Sequence, residues 1–193
     1  MRILILYGTS EGQTAKIASF LAERFTEAGQ QVALINARRQ PASLQMTDFD
    51  AAIVAARVHA GRYPGRILRF ARRNRAALEA IPNAFVSVSM SAANHVPGDA
   101  DRVAKYTADF IAHSRWKPDR VYHVAGSRLY TRHNLVGRWI LGIVDRHRYD
   151  TSRDHEWTDW TALQRFADEC LAKFGNRPTT EAVTDMPKEH HHA

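Results

Sequence analysis

Ile3-Leu4-Ile5-Leu6-Tyr7-Gly8 runs straight into Thr9-Ser10-Glu11-Gly12-Gln13-Thr14. From Thr14 onward Ile17, Ala18, Leu21, Ala22 and Phe25 recur at helical spacing, and Gly29 follows as a stop signal. An unbroken apolar run, a glycine- and hydroxyl-bearing loop and a helix N-terminus make an anion site. Backbone N–H groups converge there and the helix dipole adds positive potential. Thr9, Ser10 and Thr14 supply hydroxyl donors, and Gly12 permits close backbone approach. The loop lacks the lysine of a Walker A motif and the G-x-G-x-x-G of a dinucleotide fold, which suits a phosphate monoester held by neutral donors.

Four further runs resemble the first: Gln31–Asn36, Ala51–Ala56, Ala84–Met90 and Arg120–Gly126. They are close to continuously apolar, as parallel strands covered on both faces must be. Helical patterns separate them. One carries Ile67, Phe70, Ala71, Leu78 and Ile81 and closes at Pro82, one spans Asp99 to His113, and the last carries Trp160, Leu163, Ala167, Cys170, Leu171 and Phe174. Five strands interleaved with helices predict a doubly wound α/β sheet with right-handed crossovers. Residues 1–175 form one domain in this reading, and the polar stretch 176–193, ending in three histidines, is a disordered tail. Between the fifth strand and the last helix lies an insertion of about residues 127–157, far longer than such a connection needs.

The single cysteine, Cys170, excludes an internal disulfide, a thiolate iron–sulfur cluster and a multi-cysteine zinc site, and no metal site is expected. It suggests a reducing, cytoplasmic setting. The four-residue apolar run at the start is too short for the core of a signal peptide, and no stretch is long enough to span a bilayer. Charge is less ordinary: 27 Lys and Arg oppose 20 Asp and Glu, a formal +7, and 22 of the 27 are arginine. An anionic partner follows: lipid headgroups, or a carboxylate or phosphate ligand. The aromatic interleaving of a single-strand nucleic-acid groove is absent, so no nucleic-acid partner is expected.

Leu4–Thr14 resembles the flavodoxin fingerprint, whose T-x-x-G-x-T loop holds the phosphate of FMN. Phe85-Val86-Ser87-Val88, the segment Ser114-Arg115-Trp116-Lys117-Pro118-Asp119-Arg120, Ala125-Gly126 and Trp157-Thr158-Asp159-Trp160 narrow the likeness. With the placed insertion, they resemble the flavodoxin-like menaquinone-dependent protoporphyrinogen IX dehydrogenase (oxidase) family over about residues 1–175. The resemblance implies strand order 2-1-3-4-5 with FMN at the switch point between the first and third strands. It assigns the cofactor to Thr9, Ser10, Glu11, Gly12, Gln13 and Thr14, to Val58, His59, Ala60, Gly61 and Tyr63, and to Ser89, Met90, Ser91 and Ala92. Where the family carries Arg-Tyr-Gly, this chain reads His59-Ala60-Gly61, so the aromatic before Gly61 is missing. The flavin carries the redox chemistry, and no side-chain catalytic group is singled out.

The implied activity is oxidation of protoporphyrinogen IX to protoporphyrin IX in haem biosynthesis, with electrons passed to menaquinone or ubiquinone. A flavodoxin-type electron carrier or an FMN-dependent quinone reductase is the alternative. Within the insertion, Leu135, Val136, Trp139, Ile140, Ile143 and Val144 form one helical stripe. Arg128, Arg132, Arg138, Arg146 and Arg148 surround it. A basic amphipathic helix of this kind suits peripheral contact with the inner face of the cell membrane. It equally suits a helix folded back on the sheet, or a contact between copies in a homo-oligomer. Arg57, Arg62, Arg128, Arg132 and Trp139 are the candidates for substrate or membrane contact, since guanidinium pairs bidentately with the carboxylates of a porphyrinogen.

Overall fold

The computed structural model describes residues 1–9, 12–128 and 155–175, with only the backbone of 127, 128, 155 and 156. Five parallel strands form the central sheet: β1 (Arg2–Gly8), β2 (Gln31–Asn36), β3 (Ala51–Arg57), β4 (Asn83–Ser89) and β5 (Arg120–Ala125). Their order is β2-β1-β3-β4-β5, as expected. Each sequence-predicted strand lies within a residue of its observed bounds; β1, β3 and β4 are buried on both faces, and the outer β2 and β5 are only partly covered. The helices are α1 (Gln13–Glu27), α2 (Gly65–Arg73), α3 (Arg75–Ala80), α4 (Asp99–Ser114) and α5 (Trp160–Gly175).

Alternate residues of each strand feed two cores. Ile3, Ile5, Ile53 and Val86 pack with Ile17, Leu21 and Phe25 of α1 and with Leu163, Phe166 and Phe174 of α5. Leu4, Leu6, Val54 and Phe85 pack on the opposite face with Ile67 and Phe70 of α2, Leu78 of α3 and Phe110 of α4. The apolar series from Ile67 to Ile81 reads as one helix in sequence but is two, separated at Asn74. The Asn74 side chain donates to the Phe70 carbonyl at 3.0 Å, a local bond that competes with continuation of the helix.

The two segments most specific to the family resemblance turn out to be fasteners. In the first, Ser114 Oγ accepts the Trp116 amide at 3.2 Å and Trp116 is fully buried. Asp119 accepts both the backbone and side-chain amides of Asn83, and Arg120 pairs with Glu169 at 2.5 Å. In the second, Asp159 caps α5 by accepting the Ala162 amide at 2.9 Å, while the Trp160 ring lies 5.2 Å from Phe20 of α1.

The insertion begins and ends as an antiparallel ribbon, β6 (Ser127–Arg128) with β7 (His155–Glu156). The stripe from Leu135 to Val144, with Arg132, Arg138, Trp139, Arg146 and Arg148, falls outside the described residues, as does the stretch 176–193. Among the described residues no helix is long and apolar enough to cross a membrane.

Candidate flavin site at the switch point of the sheet

The strand order reverses between β1 and β3, so the connections leaving their carboxyl ends diverge and open a crevice. The turn after β1 belongs to the opening sequence motif. Gly12 adopts the left-handed conformation, φ 96°, and its amide donates to Thr9 Oγ1 at 3.0 Å. That backbone starts α1 without a side-chain cap and without an acidic residue in its first turn. Thr14 is fully buried, and its hydroxyl has no partner among the described residues. A buried hydroxyl left unpaired costs about 1–3 kcal/mol, so a ligand oxygen at this turn would remove a standing penalty. Ser10 and Glu11 lie outside the described residues.

Gln13 points the other way. Its side-chain amide donates to Thr158 Oγ1 at 2.9 Å, and Thr158 in turn donates to the Ala125 carbonyl at 2.8 Å. This chain of bonds ties the first turn of α1 to the end of β5 and to the segment entering α5. The partnership of Thr158 with Gln13, 145 positions away, carries no local sequence signal.

After β3, the Val58 amide bonds the Val88 carbonyl at 2.8 Å. His59 and Arg62 then exchange both backbone hydrogen bonds, at 2.9 and 3.0 Å, across Ala60 and Gly61. Both central residues have positive φ, 47° at Ala60 and 76° at Gly61, the pattern of a type I′ hairpin. The sequence does not announce this hairpin, because alanine seldom occupies that conformation.

Tyr63 is turned inward. Its hydroxyl lies 2.7 Å from Ser87 Oγ and 3.4 Å from Thr107 Oγ1, and its ring meets Phe85 and Phe110 edge-on at 5.2 and 5.1 Å. Burial pushes its phenol pKa up, so it remains a neutral hydrogen-bonding group. It therefore clamps α2 and α4 to the sheet.

The loop after β4 completes the crevice. Ser89 Oγ accepts the Ala92 amide at 3.1 Å, and Ser91–Ala93 form a single 3-10 turn. The Ser89 carbonyl accepts the Gly126 amide at 3.0 Å. His95 packs its ring 5.7 Å from Trp157, joining this loop to the segment that returns from the insertion. Gln13, Arg57, Ser89, Met90 and Gly126 thus meet along one narrow crevice. Arg57 also lines, with Arg62, Thr9 and His59, a second, wider cavity on the β2 side. The side chain of Arg128 lies outside the described residues. Among the described residues no group of three or more His, Cys, Asp or Glu gathers as a metal cluster would.

Residues 4–154 match the flavodoxin domain family. The protoporphyrinogen IX dehydrogenase [quinone] of Escherichia coli K12 is 30% identical over 184 residues, covering 93% of this chain and 99% of that one. The chain belongs to that family. A protein of the same name from Leishmania major is 24% identical, across 89% of this chain and 75% of its own. Among solved structures, a short-chain flavodoxin associated with a bacterial microcompartment superposes with a TM-score of 0.56 at 12% identity, covering 90% of this chain and 99% of that one. A Streptococcus pneumoniae flavodoxin gives 0.53 at 17% identity, with 90% and 99% covered. The chain is thus an oxidoreductase on a flavodoxin fold. Its cofactor is FMN, and the orphan Thr14 hydroxyl, the left-handed Gly12 and the acid-free start of α1 fit a phosphate.

Proposed function

We propose that the protein oxidises protoporphyrinogen IX to protoporphyrin IX and passes the electrons to a membrane quinone. The observation that carries this reading is the extent of the likeness to the Escherichia coli enzyme, which runs through the insertion and leaves almost none of either chain unmatched. FMN supplies the two-electron redox chemistry when bound. Each turnover removes two electrons and two protons from the porphyrinogen, and a quinone takes them up as quinol. Three turnovers account for the six electrons between substrate and product.

The chain's own residues bind and orient. In this reading Thr9, Ser10, Glu11, Gly12, Gln13 and Thr14 hold the FMN phosphate through their backbone amides and the threonine and serine hydroxyls. Val58, His59, Ala60 and Gly61 on one side, and Ser89, Met90, Ser91 and Ala92 on the other, border the ring. Arg57, Arg62, Arg128 and Arg132 meet propionates or headgroups, and Trp139 enters the membrane surface, since a quinone that resides in the bilayer must be reached there. A formal charge of +7 supports an anionic substrate and a membrane-facing role over a flavodoxin-type carrier.

The test is an anaerobic mixture of FMN-loaded protein and protoporphyrinogen, followed by porphyrin fluorescence with and without a menaquinone analogue. Fluorescence that appears only with the quinone is the expected result. Bound FMN with no porphyrin formed would discard the substrate and bring forward the electron-carrier reading.

A further inference from the structure

A cavity of about 340 Å³ opens where β1, β2 and β3 end above the start of α2. Arg38, Arg57, Arg62 and Arg66 line it, and among the described residues no acidic side chain does. Among the described residues Arg38, Arg62 and Arg66 form no ion pair, and all three are exposed. Two of the four are placed by local backbone devices. Asn36 Oδ1 accepts the Arg38 amide at 2.9 Å and its carbonyl accepts Arg39 at 2.8 Å, which fixes the turn leaving β2. Arg62 is held by the two bonds it exchanges with His59.

Arg66 stands in the first turn of α2, where the helix dipole already favours an anion and disfavours a cation. That turn has neither an acidic residue nor a side-chain cap. The like charges of Arg38, Arg62 and Arg66 and a positive helix end oppose one another around one cavity. A site where the sequence breaks its own electrostatic rules so consistently is one that a ligand completes. The floor is apolar: Gly8 approaches Ile67 so closely that a Cβ would lie 2.6 Å from its Cγ1.

We propose that this cavity is an anion subsite that takes a carboxylate of the substrate, with Arg38 and Arg66 as its specificity-determining residues. The inference rests on the porphyrinogen reading above for the identity of the acid. Guanidinium forks suit carboxylate, and an apolar floor suits the macrocycle edge that bears it.

The experiment titrates FMN-loaded protein with mesoporphyrin, a stable dicarboxylate that does not turn over, and with its dimethyl ester, reading tryptophan fluorescence. Wild type should bind the diacid at least tenfold more tightly than the ester. R38Q/R66Q should bring the two within threefold of each other. R69Q/R72Q removes the same charge from elsewhere on α2 and should preserve the preference. An acid preference equal in wild type and R38Q/R66Q overturns the subsite.

Turnover of protoporphyrinogen in the same preparations separates the two readings. Turnover with the preference unmoved by R38Q/R66Q defeats the subsite alone, and neither turnover nor diacid binding in wild type defeats both. Sedimentation with phosphatidylglycerol vesicles identifies the source of the anion. Vesicle binding retained by R38Q/R66Q supports the porphyrin carboxylate. Vesicle binding lost with the acid preference intact assigns the arginines to lipid and overturns the proposal.

Discussion

The turn after β1 and the turn after β3 leave the same edge of the sheet as neighbours, and they prepare for negative charge in opposite ways. The first uses no cation among its described residues. It offers a left-handed glycine, a buried hydroxyl without a partner among the described residues and a helix start, all set by backbone geometry. The second, with the end of β2, presents exposed guanidiniums around an open cavity. A preset neutral cradle is selective in shape and little affected by the surrounding salt. Exposed arginines reach further, tolerate varied ligands and are screened over about 8–10 Å at ordinary ionic strength. A cofactor that stays and a substrate that comes and goes call for this division.

The contrast is open to attack at several points. Thr14→Val should cause the largest change. Loss of a hydrogen bond to a charged phosphate costs about 1.5–3 kcal/mol, so FMN affinity should fall about 10- to 100-fold. The apoprotein should lose no thermal stability, because the variant also removes a buried hydroxyl that is unpaired among the described residues. A parallel loss of apoprotein stability and FMN affinity would make Thr14 a structural residue.

Gly8→Ala tests the wall between the two turns. With Ile67 Cγ1 at 2.6 Å from the new methyl, overpacking should cost about 1–3 kcal/mol in chemical denaturation. The double variant Gly8→Ala/Ile67→Ala should be less destabilised than the sum of its parts.

Raising salt from about 0.05 to 0.5 M should weaken diacid binding several-fold by screening, while FMN affinity changes by less than about twofold. Equal salt dependence of both would erase the distinction between the turns.

The smallest effect belongs to Ala60→Gly. Relief of φ 47° at an alanine should stabilise the protein by about 1 kcal/mol, seen as a rise in melting temperature of about 2–4 °C.

The same contrast explains what the sequence made legible. The sheet could be read because each strand is a short, mostly apolar run set between helical patterns, and the phosphate turn because its residue types and its place after the first strand act together. The cavity could not be read as a unit. Arg38 follows β2 while Arg62 and Arg66 flank the entry to α2, and what gathers them is the backbone chemistry of Asn36, the His59–Arg62 hairpin and the start of α2. Ala60 hid that hairpin by being the wrong residue for its conformation.

The Trp157–Trp160 segment was conspicuous for a different reason from the one that makes it matter. Thr158 receives Gln13, Asp159 caps a helix and Trp160 packs on Phe20. The motif marks the family through structural joints, beside the site rather than within it.

The pairing of Ser127–Arg128 with His155–Glu156 has a consequence for how such a protein can diversify. The chain departs and returns through one doorway, so the intervening sequence is topologically a detour. Lengthening, shortening or exchanging it changes no strand neighbour and shifts no register in the parallel sheet. Selection can rewrite what the molecule touches there while the parallel-sheet scaffold keeps its own constraints, in the way that a tool head is changed on an unaltered handle.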